Sequence, residues 1–244
     1  MVQRKLPSLS VFVPAYQVEG FLESTLKRIP HEIWEQVLEV VVLNDGSKDN
    51  TEQVALECVQ KFPNTRVVSF EENQGYGEVV LRGAKECLKQ NPDYILCLHG
   101  DGQYSPEKIP ELLACIHERN LALVQGSRIA GGKALSGGMP KYKFLANCCL
   151  TSLENLVFQE SLTDYHSGFL IYQREFLEEV PWHKLSGSFD VDVELIACAK
   201  AKGFAVGEVP IPTHYGEEIS HLNPVTYGLR VLRMLSRYLR GYYG

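Results

Sequence analysis

The sequence predicts an α/β fold, a mostly parallel central sheet flanked by helices on both faces. Three observations point there. Five short runs, 9–13, 38–43, 66–70, 94–98 and 121–125, are rich in Val, Ile and Leu, as strands covered on both faces are. Between them lie stretches with helical apolar spacing, 21–29, 51–62, 77–89 and 106–118. The two patterns alternate four times, as repeated strand–helix units do.

Each element carries its own signals. The run 9–13 follows a start, Met1 to Ser8, with no apolar leader-like stretch. Asp49 or Asn50 can cap the helix 51–62, whose first turn holds Glu52. Ser105-Pro106-Glu107 puts proline at the first helical position of 106–118. After Gln125 the rhythm breaks, and Gly131-Gly132 with Ser136-Gly137-Gly138 marks a loop or lid. A helix then fits 142–158, with Leu145, Cys149, Ser152, Leu153 and Leu156 on one face. Strands at 169–172 and 205–211 enclose a helix at 192–202, for which Asp190 and Asp192 read as first-turn caps. No repeat or linker divides the chain, so residues 1–222 read as one domain and 223–244 as a C-terminal basic amphipathic helix. There Arg230, Arg233, Arg237 and Arg240 share one face, and Leu232, Leu235, Leu239 and Tyr242 a neighbouring one, with Tyr238 beside it. Such a helix lies in a membrane interface or packs on the sheet with its arginines solvated; both readings stand.

Composition removes several classes. The 244 residues are 45% hydrophobic, enough for a core, and carry a net charge of −6, which offers no basic footprint for nucleic acid. The seven cysteines form no CxxC pair and most sit in apolar runs, so a reduced, cytoplasmic protein is expected, without a disulfide frame. No run approaches the ~20 apolar residues of a spanning helix. Gly75-Tyr76-Gly77 has Val80 where a dinucleotide fingerprint needs its third glycine, and neither a P-loop nor a Gly-x-Ser-x-Gly elbow is present.

In an open α/β sheet, ligands bind beyond the carboxyl ends of the strands. The residues there are Pro14-Ala15-Tyr16, Asn44-Asp45-Gly46-Ser47, Glu71-Glu72-Asn73, His99-Gly100-Asp101 and Gly126-Ser127-Arg128, which are polar, acidic or small. In His99-Gly100-Asp101-Gly102-Gln103, a carboxylate with a neighbouring amide can hold a hard divalent cation shared with substrate phosphates. A tight turn is the other reading of Asp101-Gly102.

These segments, with Asn73-Gln74-Gly75-Tyr76-Gly77 and Asp164-Tyr165-His166-Ser167-Gly168-Phe169, stand in an order that resembles family 2 glycosyltransferases of GT-A fold, in the branch of dolichyl- and polyprenyl-phosphate sugar (mannose or glucose) synthases. The resemblance runs from Leu9 to about Arg233. It implies an inverting hexose transfer from a nucleotide-diphosphate sugar, GDP- or UDP-linked, with Mg2+ or Mn2+, to a polyprenyl phosphate, and a peripheral place at a membrane surface or beside a membrane subunit. Carried over, Pro14, Ala15 and Tyr16 line the nucleotide pocket, Asp45 meets the base or ribose, and Asn73 and Gly77 meet the nucleoside side. Asp101 and Gln103 bind metal and diphosphate, and Arg128 faces a phosphate with its planar fork. Two acids of the usual set are replaced, by His99 and Asn44, and Gln17-Val18-Glu19 replaces the usual Asn-Glu, displacing Glu19. His99 can ligate a metal such as Mn2+, donate to a phosphate, or only pack; all three remain open.

Transfer to an alcohol needs a general base, whereas a lipid phosphate is already anionic near neutral pH. Asp164 is the nominee if a base is required, its bland role being to cap the turn before 169–172. Lys141 and Lys143 can receive an acceptor phosphate, or simply be a solvated helix start. A hydroxyl-acceptor enzyme and a nucleotide-sugar-binding pseudoenzyme are the rival readings. His214, His221, Glu217 and Glu218 after the last strand suit a satisfied loop better than a second metal site.

Overall fold

The computed structural model describes residues 6–132, 134–212 and 224–244. The segment with His214, Glu217, Glu218 and His221 lies outside the described residues. The strands are β1 (Leu9–Ala15), β2 (Val37–Asn44), β3 (Thr65–Ser69), β4 (Tyr94–Cys97), β5 (Leu123–Ser127), β6 (Leu170–Gln173) and β7 (Val206–Pro210). They form one sheet in the order β3-β2-β1-β4-β6-β5-β7. Neighbours pair in parallel except at β6, which is antiparallel to both β4 and β5. The helices are α1 (Leu22–Lys27), α2 (His31–Trp34), α3 (Thr51–Lys61), α4 (Tyr76–Leu88), α5 (Ile109–Arg119), α6 (Lys141–Phe158), α7 (Arg174–Glu178), α8 (Val191–Ala201) and α9 (Pro224–Leu239). The expected single α/β domain is what folds.

Two cores explain the uninterrupted apolar runs. Leu9, Val11 and Val13 of β1 pack toward Leu22 and Leu26 of α1, Ala55 and Cys58 of α3, and Leu112 and Ile116 of α5. Phe12 packs on the other face with Val80 and Ala84 of α4, Leu195 and Ile196 of α8, and Val231, Met234 and Leu235 of α9. A strand covered on both sides has no polar face to show, so no alternation reaches the sequence.

Differences from expectation follow from local geometry. Helices α2 and α7 are too short to show a period. Strand β5 begins two residues later than its apolar run and takes in Gly126 and Ser127, because Ser127 pairs with Pro210 of β7 while Leu121 is buried ahead of the ladder. Asp190 sits at the start of α8 without a side-chain capping bond, and Asp192 lies inside that helix, so neither is the cap expected. Asn50 takes the N-cap position of α3 without a side-chain capping bond, while Asp49, just ahead of it, accepts from Thr51 N at 3.1 Å. Glu19 is fastened to the same turn, its Oε2 accepting from Asn50 N at 2.8 Å. Just past the 131–138 stretch, Met139 N donates back to Ala134 O at 3.0 Å, and both residues are buried.

Helix α9 belongs to the main core through Val231, Met234 and Leu235, so Leu235 does not share the exposed face with Leu232 and Leu239. Its arginines divide as well. Arg230, itself exposed, reaches Asp190 at 3.6 Å and half-buried Arg237 reaches Glu194 at 3.7 Å; Arg233 and, just past the helix, Arg240 are exposed.

Candidate active site

Strands β1, β2, β4, β5 and β7 all end at one edge of the sheet, and antiparallel β6 begins there. The chain builds β2 and β3 on one side of β1 and β4 on the other, so β1 and β4 flank a topological break, where such sheets open a crevice. Backbone bonds stitch the edge together. Gly100 N donates to Pro14 O at 3.0 Å, Asp45 N to Ala15 O at 2.9 Å, and Gly126 N to Phe169 O at 2.8 Å.

On the β1–β2 side, Asp45 holds a loop. Its Oδ1 accepts from Gln74 N at 2.7 Å and its Oδ2 from Gly75 N at 3.1 Å, which orders the stretch carrying exposed Asn73 at the mouth of the edge. Asn44 shapes the neighbouring turn, with Oδ1 accepting from Ser47 N at 3.2 Å, a task an amide performs without adding charge. Tyr16 is exposed, and Gln17 N donates to Ser47 Oγ at 3.1 Å. Gly77 also has a packing role. A Cβ there would lie 2.2 Å from the Gly187 carbonyl carbon, so this glycine lets α4 meet the turn before α8.

At the β4 tip, Asp101 is half-buried and Gln103 exposed. Asp101 Oδ1 accepts from Gln103 N at 3.0 Å, and its second oxygen takes no hydrogen bond among the described residues. Among the described residues no group of three or more His, Cys, Asp or Glu is gathered for a metal. One carboxylate beside an amide suits an ion that draws its remaining ligands from substrate phosphates and water.

His99 is drawn the other way. Its Nε2 lies 3.2 Å from Tyr76 OH, and its ring packs on Tyr76 and edge-on against Tyr104. Burial holds the imidazole below its ordinary pKa. A Cβ on Gly168 would come within 2.5 Å of Nε2, so that glycine admits the ring. Packing, one of the three readings, is thus satisfied, and the Nε2 edge is occupied.

Tyr76 also donates to Asp192 Oδ2 at 2.7 Å, a link between α4 and α8 that local sequence cannot signal. Burial raises the Asp192 carboxyl to about 7, against the opposing Tyr76 bond. From about pH 4 to 7, the folded chain therefore keeps a proton that the unfolded chain has lost, and stability falls as pH rises through that window. Asp192→Asn removes this slope. Its melting temperature relative to the parent should climb between pH 5 and pH 8, and parallel curves would refute the assignment.

Beyond β5, Arg128 and Asp164 form a closed pair. Arg128 Nε donates to Asp164 Oδ2 at 3.0 Å, and Nη2 donates to His166 O at 2.8 Å. Asp164 Oδ1 also accepts from Asn147 Nδ2 and from His166 N, both at 2.9 Å. Burial pushes this carboxyl up, but the Arg128 guanidinium and the other donors outweigh it and hold it at about 2. So low a value makes a poor proton acceptor at neutral pH. The base role nominated for Asp164 is corrected to that of an anchor for Arg128, and the Arg128 fork already grips a carboxylate.

Helix α6 closes this side with Asn147 and with Glu154, whose Oε2 is 3.3 Å from His166 Nε2; Tyr227 OH meets the other imidazole nitrogen at 2.9 Å. Lys141 and Lys143 stand in the first turn of α6, which holds no acidic residue. Sequence reasoning missed Asn147, Glu154, Tyr227 and Tyr104, and named Tyr76 and Asp192 without this role. The motif around His166-Ser167-Gly168 was the one available signal for where they converge.

A mixed sheet of this order, with an Asp-Gly-Gln turn at its break and an arginine locked at the next strand end, is a GT-A-like transferase architecture. Residues 10–181 match the model of glycosyl transferase family 2, and the chain belongs to that family as a glycosyltransferase. It is 25% identical over 85% of its length to the UDP-N-acetylglucosamine–dolichyl-phosphate N-acetylglucosaminyltransferase of Methanococcus voltae, covering 86% of that protein. It is 26% identical over 83% of its length to the dolichyl-phosphate beta-glucosyltransferase ALG5A of Trichomonas vaginalis, of which it spans only 64%. A crystal structure of Mycobacterium tuberculosis glucosyl-3-phosphoglycerate synthase with Mn2+, UDP and phosphoglyceric acid has a TM-score of 0.72 at 19% identity, over 95% of this chain and 78% of that one. That likeness is one of fold.

Proposed function

We propose that this glycosyltransferase moves a hexose, with inversion, from a UDP- or GDP-linked donor to a polyprenyl phosphate. The observation that carries the reading is the locked Arg128–Asp164 pair. The acid nominated as base for a hydroxyl acceptor is committed as a strong anion, and a phosphate acceptor needs no base. Lys141 and Lys143, at the positive end of α6, offer charge for such a phosphate. Two relatives named above act on dolichyl phosphate, and that family likeness agrees.

The donor sits in this reading across the β1–β4 break, its nucleoside toward Tyr16, Asp45 and Asn73 and its diphosphate toward Asp101 and Gln103. A divalent ion held by Asp101 and Gln103 would offset charge on the departing diphosphate. Glucosyl-3-phosphoglycerate synthase structures hold UDP with Mn2+ or Mg2+, which supports an ion of this type. Arg128, fixed by Asp164, keeps its positive charge beside the β5 end.

Thermal-shift titration with UDP- and GDP-sugars, each with Mn2+ or Mg2+, tests the donor half. One nucleotide class should stabilise the fold only when the ion is present. Transfer of labelled sugar to a polyprenyl phosphate, set against the matching polyprenol, tests the acceptor half. Equal transfer to the alcohol would defeat it.

A further inference from the structure

Past α9 the chain doubles back into the protein. Gly241, at φ 72°, adopts the left-handed conformation that glycine takes without strain. Its N donates to Tyr238 O at 2.9 Å, and Tyr242 N donates to Arg237 O at 3.0 Å, the paired bonds that close a helix and reverse the chain. Tyr243 is thereby carried into the core and is fully buried. Its OH donates to Glu194 Oε1 of α8 at 2.8 Å, and Glu194 Oε2 accepts from Ser186 N at 2.7 Å. One buried carboxylate thus joins the residues after α9 to the segment ahead of α8. Tyr242 grips the same segment from outside, where Lys184 Nζ donates to Tyr242 O at 2.8 Å and Tyr242 OH donates to Lys184 O at 3.4 Å.

That segment backs the loop assigned to the donor nucleoside. Residues 185–190 form neither helix nor strand, so the packing that holds α8 does not by itself fix them. A Cβ on Gly187 would run into Glu78 Oε1, which shows how closely the segment is moulded onto the first turn of α4. Phe189 stacks on Tyr76 with ring centroids 5.8 Å apart. Tyr76 directly follows Gln74 and Gly75, whose amides Asp45 binds, and its OH meets His99 beside the β4 tip. A shift of 186–189 therefore reaches the nucleoside side of the site.

We infer that Tyr243 is a positioning residue for donor binding: through Glu194 it holds the 186–189 segment against α4 and the loop that Asp45 orders. The consequence for the donor rests on the nucleotide-sugar reading above, whereas the hold does not. Tyr243→Phe keeps the buried ring and removes one hydrogen bond. Donor affinity, measured by calorimetric titration of UDP- and GDP-hexose with Mn2+ well below the variant's Tm, should weaken about fivefold, the scale of one ordinary hydrogen bond. The donor KM should rise accordingly, with turnover at saturating donor close to the parent's. Hydrogen exchange should quicken at the amides of 186–189 and 74–76 and match the parent along β1 and β2. Lys184→Met, which loosens the same segment from the surface, should act in the same direction.

Unchanged donor affinity in Tyr243→Phe would overturn the inference. So would exchange that quickens evenly over the whole chain, the mark of a residue that only adds global stability. A parent chain that binds neither nucleotide sugar would strike the donor reading, and exchange at 186–189 would then decide the hold by itself.

Discussion

Exchanging Asp101 for asparagine is expected to lower turnover about 10²–10³-fold, the scale on which removing one group that stabilises developing charge is felt. The fold should hold. Asp101 Oδ1 accepts from Gln103 N at 3.0 Å, and an asparagine oxygen keeps that bond, so the turn at Gly102 survives while one negative charge is lost. With no group of three or more His, Cys, Asp or Glu gathered for a metal among the described residues, the loss falls on the carboxylate assigned to the cation. Calorimetric titration of Mn2+ into the protein with UDP present gives a readout independent of turnover. Affinity should fall by a similar factor, and unchanged affinity would remove the metal role of Asp101.

Asp164→Asn should instead damage the fold. The carboxylate is fully buried and receives bonds from Arg128, Asn147 and the His166 backbone. An amide can keep one acceptor, but its NH2 group then meets a donor, and Arg128 loses its counter-charge in a nearly dry setting. Breaking one side of a buried pair costs about 3–5 kcal/mol, which for a chain of this size lowers Tm by roughly ten degrees. The pH dependence has a fixed sign. Asp164 ionises at about 2 when folded and near its ordinary value when unfolded, so its stabilisation is complete above about pH 4 and drains away as pH falls through 2. The parent should lose more stability than the variant between pH 5 and pH 2.5 in urea titrations. Equal losses would show that the pair is not what holds this corner.

The residues explain why some of the site was legible and some was not. Asp101-Gly102-Gln103 could be read because the position just after an apolar strand run is itself visible in the sequence, and the turn needs only neighbours in the chain. Asp45 was found at its place, but its hold on the 73–75 loop was not legible, since the two amides it binds lie 29 and 30 positions on. The bond from Tyr76 to Asp192 spans 116 residues and joins two helices on the same face of the sheet, so no periodicity records it. Asp164 and Arg128 were both named, yet as base and phosphate ligand, because sequence alone does not reveal that their charges cancel each other.

Helix α6 marks the limit of hydrophobic patterning. The period picks out Leu145, Cys149, Leu153 and Leu156 as one face, and an ordinary globular helix would turn that face inward. Here it is exposed, because the opposite face supplies Asn147 and Glu154 to buried partners around Asp164 and His166.

What the sequence alone determined is the scaffold: strands dense enough in apolar residues to be covered on both faces, the helices between them, and the polar segments that end up at one edge. Burial acts residue by residue, and its pattern survives in one dimension. The tertiary structure decided which of those polar groups face each other, which charges are already neutralised, and which apolar face stays open. Those are properties of distances between segments far apart in the chain, and a carboxylate becomes a ligand, an anchor or a proton store only when its neighbours are in place.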